Sequence, residues 1–170
     1  LANVWSTTKG VAATCVALMV EKKLLNYDEK VTHYWPEFGL NGKEDITVGM
    51  LLSHQAGICG TEDAEIEDYY NQKNMADRLS KMTPIWVPGS ASGYHSMTYG
   101  WLAGELVLRV SGKSLGTILR EEITSKRDID FHIGLDKSEH HRCAEMIPMP
   151  RKKRDPNEKI EITDAQKATA

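Results

Sequence analysis

A chain of 170 residues with 21 Lys and Arg against 24 Asp and Glu carries a formal charge of -3, and charges so mixed give no global pull toward nucleic acid or an acidic membrane surface. The length suits one domain with a sizeable core, or part of a larger one. Cys15, Cys59 and Cys143 are odd in number and lack Cys-x-x-Cys spacing, which argues against a complete disulfide framework or a zinc site and for reduced thiols in an intracellular setting.

The chain starts at Leu1 without a signal-peptide pattern, so a natural start upstream is expected. Ser6 to Leu25 reads as a helix that is apolar on nearly all sides through Val11, Ala12, Ala13, Cys15, Val16, Ala17, Leu18, Met19 and Val20, as core helices are. Its apolar run ends at Glu21-Lys22-Lys23 and is too short for a membrane span. Cys15 is nine residues beyond Ser6, close to half a turn out of phase, and reads as a core thiol. Tyr27 to Val31 reads as a short turn, and Tyr34-Trp35-Pro36-Glu37-Phe38-Gly39 as an aromatic loop broken by proline. Thr47 is a cap for a helix from Val48 to His54, which Gln55-Ala56-Gly57 ends.

Gly60 to Asn74 is acidic and poor in apolar residues, which suits an exposed segment or lid. Met75 to Met82 reads as helical, and Pro84 to Gly89 cannot continue it. A loop of small residues, Ser90-Ala91-Ser92-Gly93-Tyr94-His95-Ser96, leads into a second apolar helix from Tyr99 to Val110, stopped by Ser111-Gly112. A further amphipathic helix, Leu115 to Ile123, follows Ser114. Only Phe131 to Leu135 and Met146-Ile147 are mildly strand-like. The last twenty residues, from Arg151-Lys152-Lys153-Arg154 onward, hold many charges and little to bury, so 151–170 reads as a disordered tail or a severed loop.

Ser6-Thr7-Thr8-Lys9 carries the clearest chemistry. At i and i+3 on a helix, Ser6 and Lys9 share a face, so an amine can sit beside the hydroxyl, and the free N–H groups of the helix mouth favour an oxyanion. The alternative is that Ser6 is a plain N-cap. A serine paired with lysine needs another proton carrier for the leaving group; Tyr94, in its loop of small residues at a helix mouth, is the candidate. Other motifs fail. Gly89-Ser90-Ala91-Ser92-Gly93 puts alanine where a nucleophile elbow needs serine. Gly112-Lys113-Ser114 lacks the first glycine of a P-loop, and Val107 stands in its place. Glu139, His140, His141 and Cys143 lack metal-site spacing and read as surface residues; His54 reads as satisfying local backbone groups.

Trp5 to Gly10, Leu51-Leu52-Ser53-His54-Gln55-Ala56-Gly57, Trp86-Val87-Pro88-Gly89, Gly93-Tyr94-His95-Ser96 and Tyr99 to Gly104 occur in one order. Together they resemble the serine beta-lactamase-related superfamily, especially class C-like family VIII carboxylesterases and the animal beta-lactamase-domain proteins. The resemblance implies an α+β fold, an all-helical region beside an antiparallel sheet. On that template this mostly helical chain is a partial domain, 1–150, with most of the sheet missing. It implies Ser6 as nucleophile, Lys9 as its activating neighbour, Tyr94 as general base and proton donor, and the backbone N–H of Ser6 as one oxyanion donor. His95 and Ser96 are the candidate substrate-binding residues. Ser96 stands where the family often has asparagine, which favours an ester over an amide. No Lys-Thr-Gly, His-Thr-Gly or Trp-x-Gly element follows Tyr94. The expected partner is a small ester or acyl compound, with no cofactor, metal, nucleic acid or membrane span. The readings beside an ester hydrolase are a non-catalytic assembly module and a peptidase-like or beta-lactam-binding acyl-transferase. A helix so apolar, without strands to cover it, is expected to expose apolar surface and to favour self-association.

Overall fold

The computed structural model describes residues 1–61 and 64–147, so the charged segment 151–170 and Glu62 and Asp63 lie outside the described residues. Among the described residues six α-helical segments run in chain order: α1 (Thr7–Glu21), α2 (Val31–Tyr34), α3 (Val48–Leu52), α4 (Gln72–Lys81), α5 (Thr98–Ser111) and α6 (Leu115–Ile118). α6 continues with wider winding over Leu119–Thr124, and 3-10 turns cover Pro36–Gly39, Asp68–Tyr70 and Lys137–Arg142. Among the described residues no strand forms; one antiparallel bridge joins Lys30 to Thr47. Phe131 to Leu135 therefore stays unpaired, and the Ile133 carbonyl lies so close to Gly116 that a Cβ there would meet it.

α5 is the centre of the core, packed on α1 at one side and α4 at the other. It buries Leu102, Ala103, Leu106 and Val107 in one cluster with Cys15, Val16 and Met19 of α1 and Ala76 and Leu79 of α4. Each large aliphatic side chain so enclosed is worth about 1.5–3 kcal/mol of transfer free energy. The aromatic loop contributes too: Trp35 is buried with its ring 5.0 Å from Phe38 and 5.3 Å from the Arg109 guanidinium.

Several boundaries differ from the sequence reading for local reasons. α1 ends at Glu21, because Lys23 turns left-handed at φ 60° and the N–H groups of Leu24 and Leu25 both return to Met19 O. That reversal drives Leu25 into the core. α1 is covered on one face only; Gly10, Thr14, Ala17 and Glu21 line its exposed side. α3 stops at Leu52, with Thr47 Oγ1 accepting from Met50 N–H at 3.1 Å at its start. α4 begins three residues before Met75, because Asn71 Oδ1 caps Asn74 N–H. The preceding acidic stretch is mostly exposed, as expected, and is anchored at two points: Asp68 pairs with Arg78 at 2.7 Å, and the Tyr69 ring meets Trp101 edge-on at 5.4 Å. No helix among the described residues is long and apolar enough to cross a membrane.

Candidate active site

The turn before α1 is strained. Asn3 Oδ1 accepts from Trp5 N–H at 2.8 Å, and Trp5 sits at φ 48°, a left-handed conformation that side chains with a Cβ avoid at about 1–2 kcal/mol. Such strain persists where the surrounding structure fixes it, often beside chemistry. Its consequence is local: Ser6 is placed at the mouth of α1 and exposed, and its side chain makes no capping bond. The plain-cap alternative therefore does not describe Ser6. Ser6 Oγ instead accepts from Lys9 Nζ at 3.2 Å.

Lys9 Nζ has a second acceptor, the carbonyl of Ser96 at 2.7 Å, 87 residues away in sequence. The same ammonium lies 5.0 Å from the Tyr94 ring centroid. Two segments far apart in the chain, one with Ser6 and Lys9 and the other with Tyr94 and Ser96, thus share one spot. The Tyr94 phenol is held below an ordinary tyrosine pKa, first by the neighbouring Ser6 hydroxyl and then by Lys9, with desolvation opposing both. Tyr94 is about half exposed, so the hydroxyl is within reach of a solute.

The loop bearing Tyr94 is stitched to residues 53–57 by main-chain bonds. Ile85 N–H donates to Gly57 O, Gly89 N–H to Gln55 O and Gly93 N–H to His54 O, at 2.8, 3.0 and 3.0 Å. Gly57, at φ 72°, permits the close approach, since a Cβ there would meet Pro84 and the Trp86 carbonyl at 3.0 Å. Gly93 is tighter still: a Cβ would lie 2.3 Å from the Trp86 indole. Gly93→Ala is accordingly expected to destabilise the fold by about 1–3 kcal/mol through overpacking, measured by urea unfolding. A loss below 0.5 kcal/mol, within the ordinary range of neutral surface changes, would show that the indole moves aside freely.

His95, expected to touch substrate, is fully buried, with Nδ1 2.7 Å from Gly93 O. A ring enclosed in this way is placed to support the loop, not to meet a solute. Ser96 is exposed, and the contact it makes to the site is through its carbonyl on Lys9. Cys15 is buried in the core, where desolvation pushes its thiol pKa up, as its helical phase implies. Beside Lys9 an apolar cavity of about 470 Å³ opens, lined by Trp5, Ala12, Ser96, Met97, Tyr99 and Leu108 among others. The residues missed by sequence reasoning are Trp5, whose strain no motif announces, and His54, whose two bonds to the tyrosine loop depend on a left-handed turn.

The sequence profile of the beta-lactamase family matches residues 1–170. The chain is 37% identical over 146 residues to the esterase/beta-lactamase LipL of Mycobacterium tuberculosis, an alignment covering 85% of this chain and 34% of that protein. Among solved structures, a family VIII carboxylesterase is 46% identical with a TM-score of 0.83, over 85% of this chain and 40% of that one. A penicillin-binding protein homolog from Caulobacter crescentus is 41% identical with a TM-score of 0.83, over 91% and 43% respectively. The chain spans less than half the length of each of these relatives.

Proposed function

The chain belongs to the beta-lactamase family, and on that footing we propose that it supplies the nucleophile and proton carriers of a serine hydrolase acting on esters or related acyl compounds. Its described residues are a helical part of the beta-lactamase/transpeptidase-like fold. The observation that carries the proposal is the convergence of Ser6 Oγ, Lys9 Nζ and the acidified Tyr94 phenol at the mouth of α1.

Ser6 Oγ attacks the carbonyl carbon of the ester, and its proton passes to the Lys9–Tyr94 pair in the form that holds one proton fewer, phenolate beside ammonium or phenol beside amine, so that the two coupled groups share the role of base. The carbonyl oxygen becomes an oxyanion facing the Ser6 N–H, a donor without a partner among the described residues. Collapse of this tetrahedral species breaks the bond to the alcohol oxygen, which takes the proton back from the pair and leaves. Water then attacks the Ser6 ester by the same route, releasing the acid and restoring the serine hydroxyl. The apolar cavity beside Lys9 suits the hydrocarbon portion of such a substrate.

The test is the intact mass of the chain after exposure to a small activated ester and, separately, to a penicillin. One added acyl group that maps to the peptide containing Ser6 is the expected result with the ester. Because Cys143 is exposed and free, peptide mapping is essential. Acylation confined to Cys143 or to lysines, in a chain shown to be folded, would remove Ser6 from the role proposed. The penicillin arm addresses a second reading, acyl transfer from a beta-lactam, which the name of the Caulobacter relative brings into consideration.

A further inference from the structure

We infer that His54 is the positioning residue for Tyr94, gripping the backbone on both sides of the phenol through its carbonyl and its Nδ1. The inference rests on the reading that Tyr94 carries a proton in the reaction.

His54 directly follows the turn that ends α3 and adopts φ 65°, a conformation uncommon for a residue with a side chain. From there its carbonyl accepts Gly93 N–H at 3.0 Å, and its imidazole Nδ1 accepts His95 N–H at 3.1 Å. These are the amides immediately before and after Tyr94. The His54 ring also lies 5.1 Å from the Tyr94 ring, 5.3 Å from that of His95 and 5.3 Å from that of Tyr99. One residue, 40 positions upstream, thus fixes both the peptide path and one wall of the phenol. A displacement of about 1 Å at a reacting group can lower a rate on the order of a hundredfold, so a clamp at this point bears on catalysis and not only on folding.

The clamp has a chemical condition. A backbone N–H can donate to Nδ1 only if that nitrogen bears no proton, so the ring must be neutral with its proton on Nε2. The groups facing it are Lys9 of α1, Tyr94 and His95 of the loop, and Tyr99 of α5. Burial and the Lys9 charge both hold the His54 pKa below the usual histidine value, which keeps the grip intact at neutral pH. Protonation in acid turns Nδ1 into a donor opposite another donor and releases the His95 side of the clamp.

The decisive measurement needs no substitution. In a chain carrying nitrogen-15 and ring-labelled tyrosine, the His95 amide and the Tyr94 ring carbon that bears oxygen should both shift along the titration of the His54 ring. Titration of His54 with neither signal moving would overturn the inference. His54→Ala should then lower the rate of Ser6 acylation by about tenfold to a hundredfold with KM nearly unchanged. His54→Asn, which tolerates the left-handed turn and offers Oδ1 to the same amide, should restore most of that rate. Equal losses in both variants, each shown to be folded, would make His54 structural only. If the parent chain gives no Ser6 adduct, the catalytic reading fails, while the paired titration still decides whether the clamp exists.

Discussion

Ser6→Ala should abolish the acyl adduct and lower any ester turnover by roughly a millionfold, the scale seen when a nucleophile is removed from a serine hydrolase. The reason lies in how little else the neighbourhood offers. With the hydroxyl gone, Lys9 Nζ keeps the Ser96 carbonyl, and the phenol of Tyr94, the proton carrier, is left beside it without its nucleophile. The methyl that replaces it removes few packing contacts, because Ser6 is exposed and its side chain caps nothing. Folding should therefore survive, and melting temperatures of the two proteins should agree within a few degrees. That pairing, activity lost and stability kept, separates a nucleophile from a structural serine. An adduct of unchanged amount on the variant would mean that another group is acylated, and Tyr94 or Cys143 would be next to examine.

Between pH 7 and pH 5 the chain should lose about 2 kcal/mol of stability on account of His95 alone. This ring is fully buried, and Nε2 has no hydrogen-bond partner among the described residues. Desolvation, with a small contribution from His54, pushes its pKa down to about 4, against a bond to the Gly93 carbonyl that favours the charged form. In the unfolded chain the same ring titrates near 6.5. Above that value both states hold it neutral and it contributes no pH dependence. As pH falls below it the unfolded chain takes up a proton that the folded one refuses until about 4, and each step of pH in that window favours unfolding. The full loss, reached below the folded value, is about 3 kcal/mol. Urea unfolding at intervals from pH 7.5 to 4.5 checks it, with His95→Gln expected to flatten the slope. A wild-type slope matching that of the variant would place the acid sensitivity elsewhere. His54 adds to the same trend, since its pKa is lowered as well.

The helices were legible wherever a local rule ruled alone. Thr47 as a cap, Gly112 as a left-handed stop at φ 69° and Ser114 accepting from Thr117 N–H each follow from one residue type and its neighbours. Errors came where distant contacts overruled the local pattern. Leu24 and Leu25 fall within the helix read from the sequence, yet the core beneath Met19 takes Leu25 by reversing the chain. The described part of the stretch 60–74 is mostly exposed, as its acidity suggests, and the sequence left out only that Arg78 and Trp101 hold its second half. Fold family was readable because five short motifs kept one order, and matches across the whole chain agree with it.

At the site the same division holds. Sequence by itself determined that Ser6 and Lys9 lie together, because three residues on a helix are one turn and geometry allows little else. It also determined that Cys15 turns inward, through helical phase. Only the tertiary structure decided that Ser96 presents its carbonyl and not its hydroxyl to Lys9, that His95 is buried, and that His54 grips both flanks of Tyr94. Those three outcomes depend on main-chain groups and on a left-handed turn, and a hydrogen bond from the backbone is open to almost any residue. No side-chain pattern in the sequence encodes it, so it becomes visible only when the loop and the end of α3 are brought face to face.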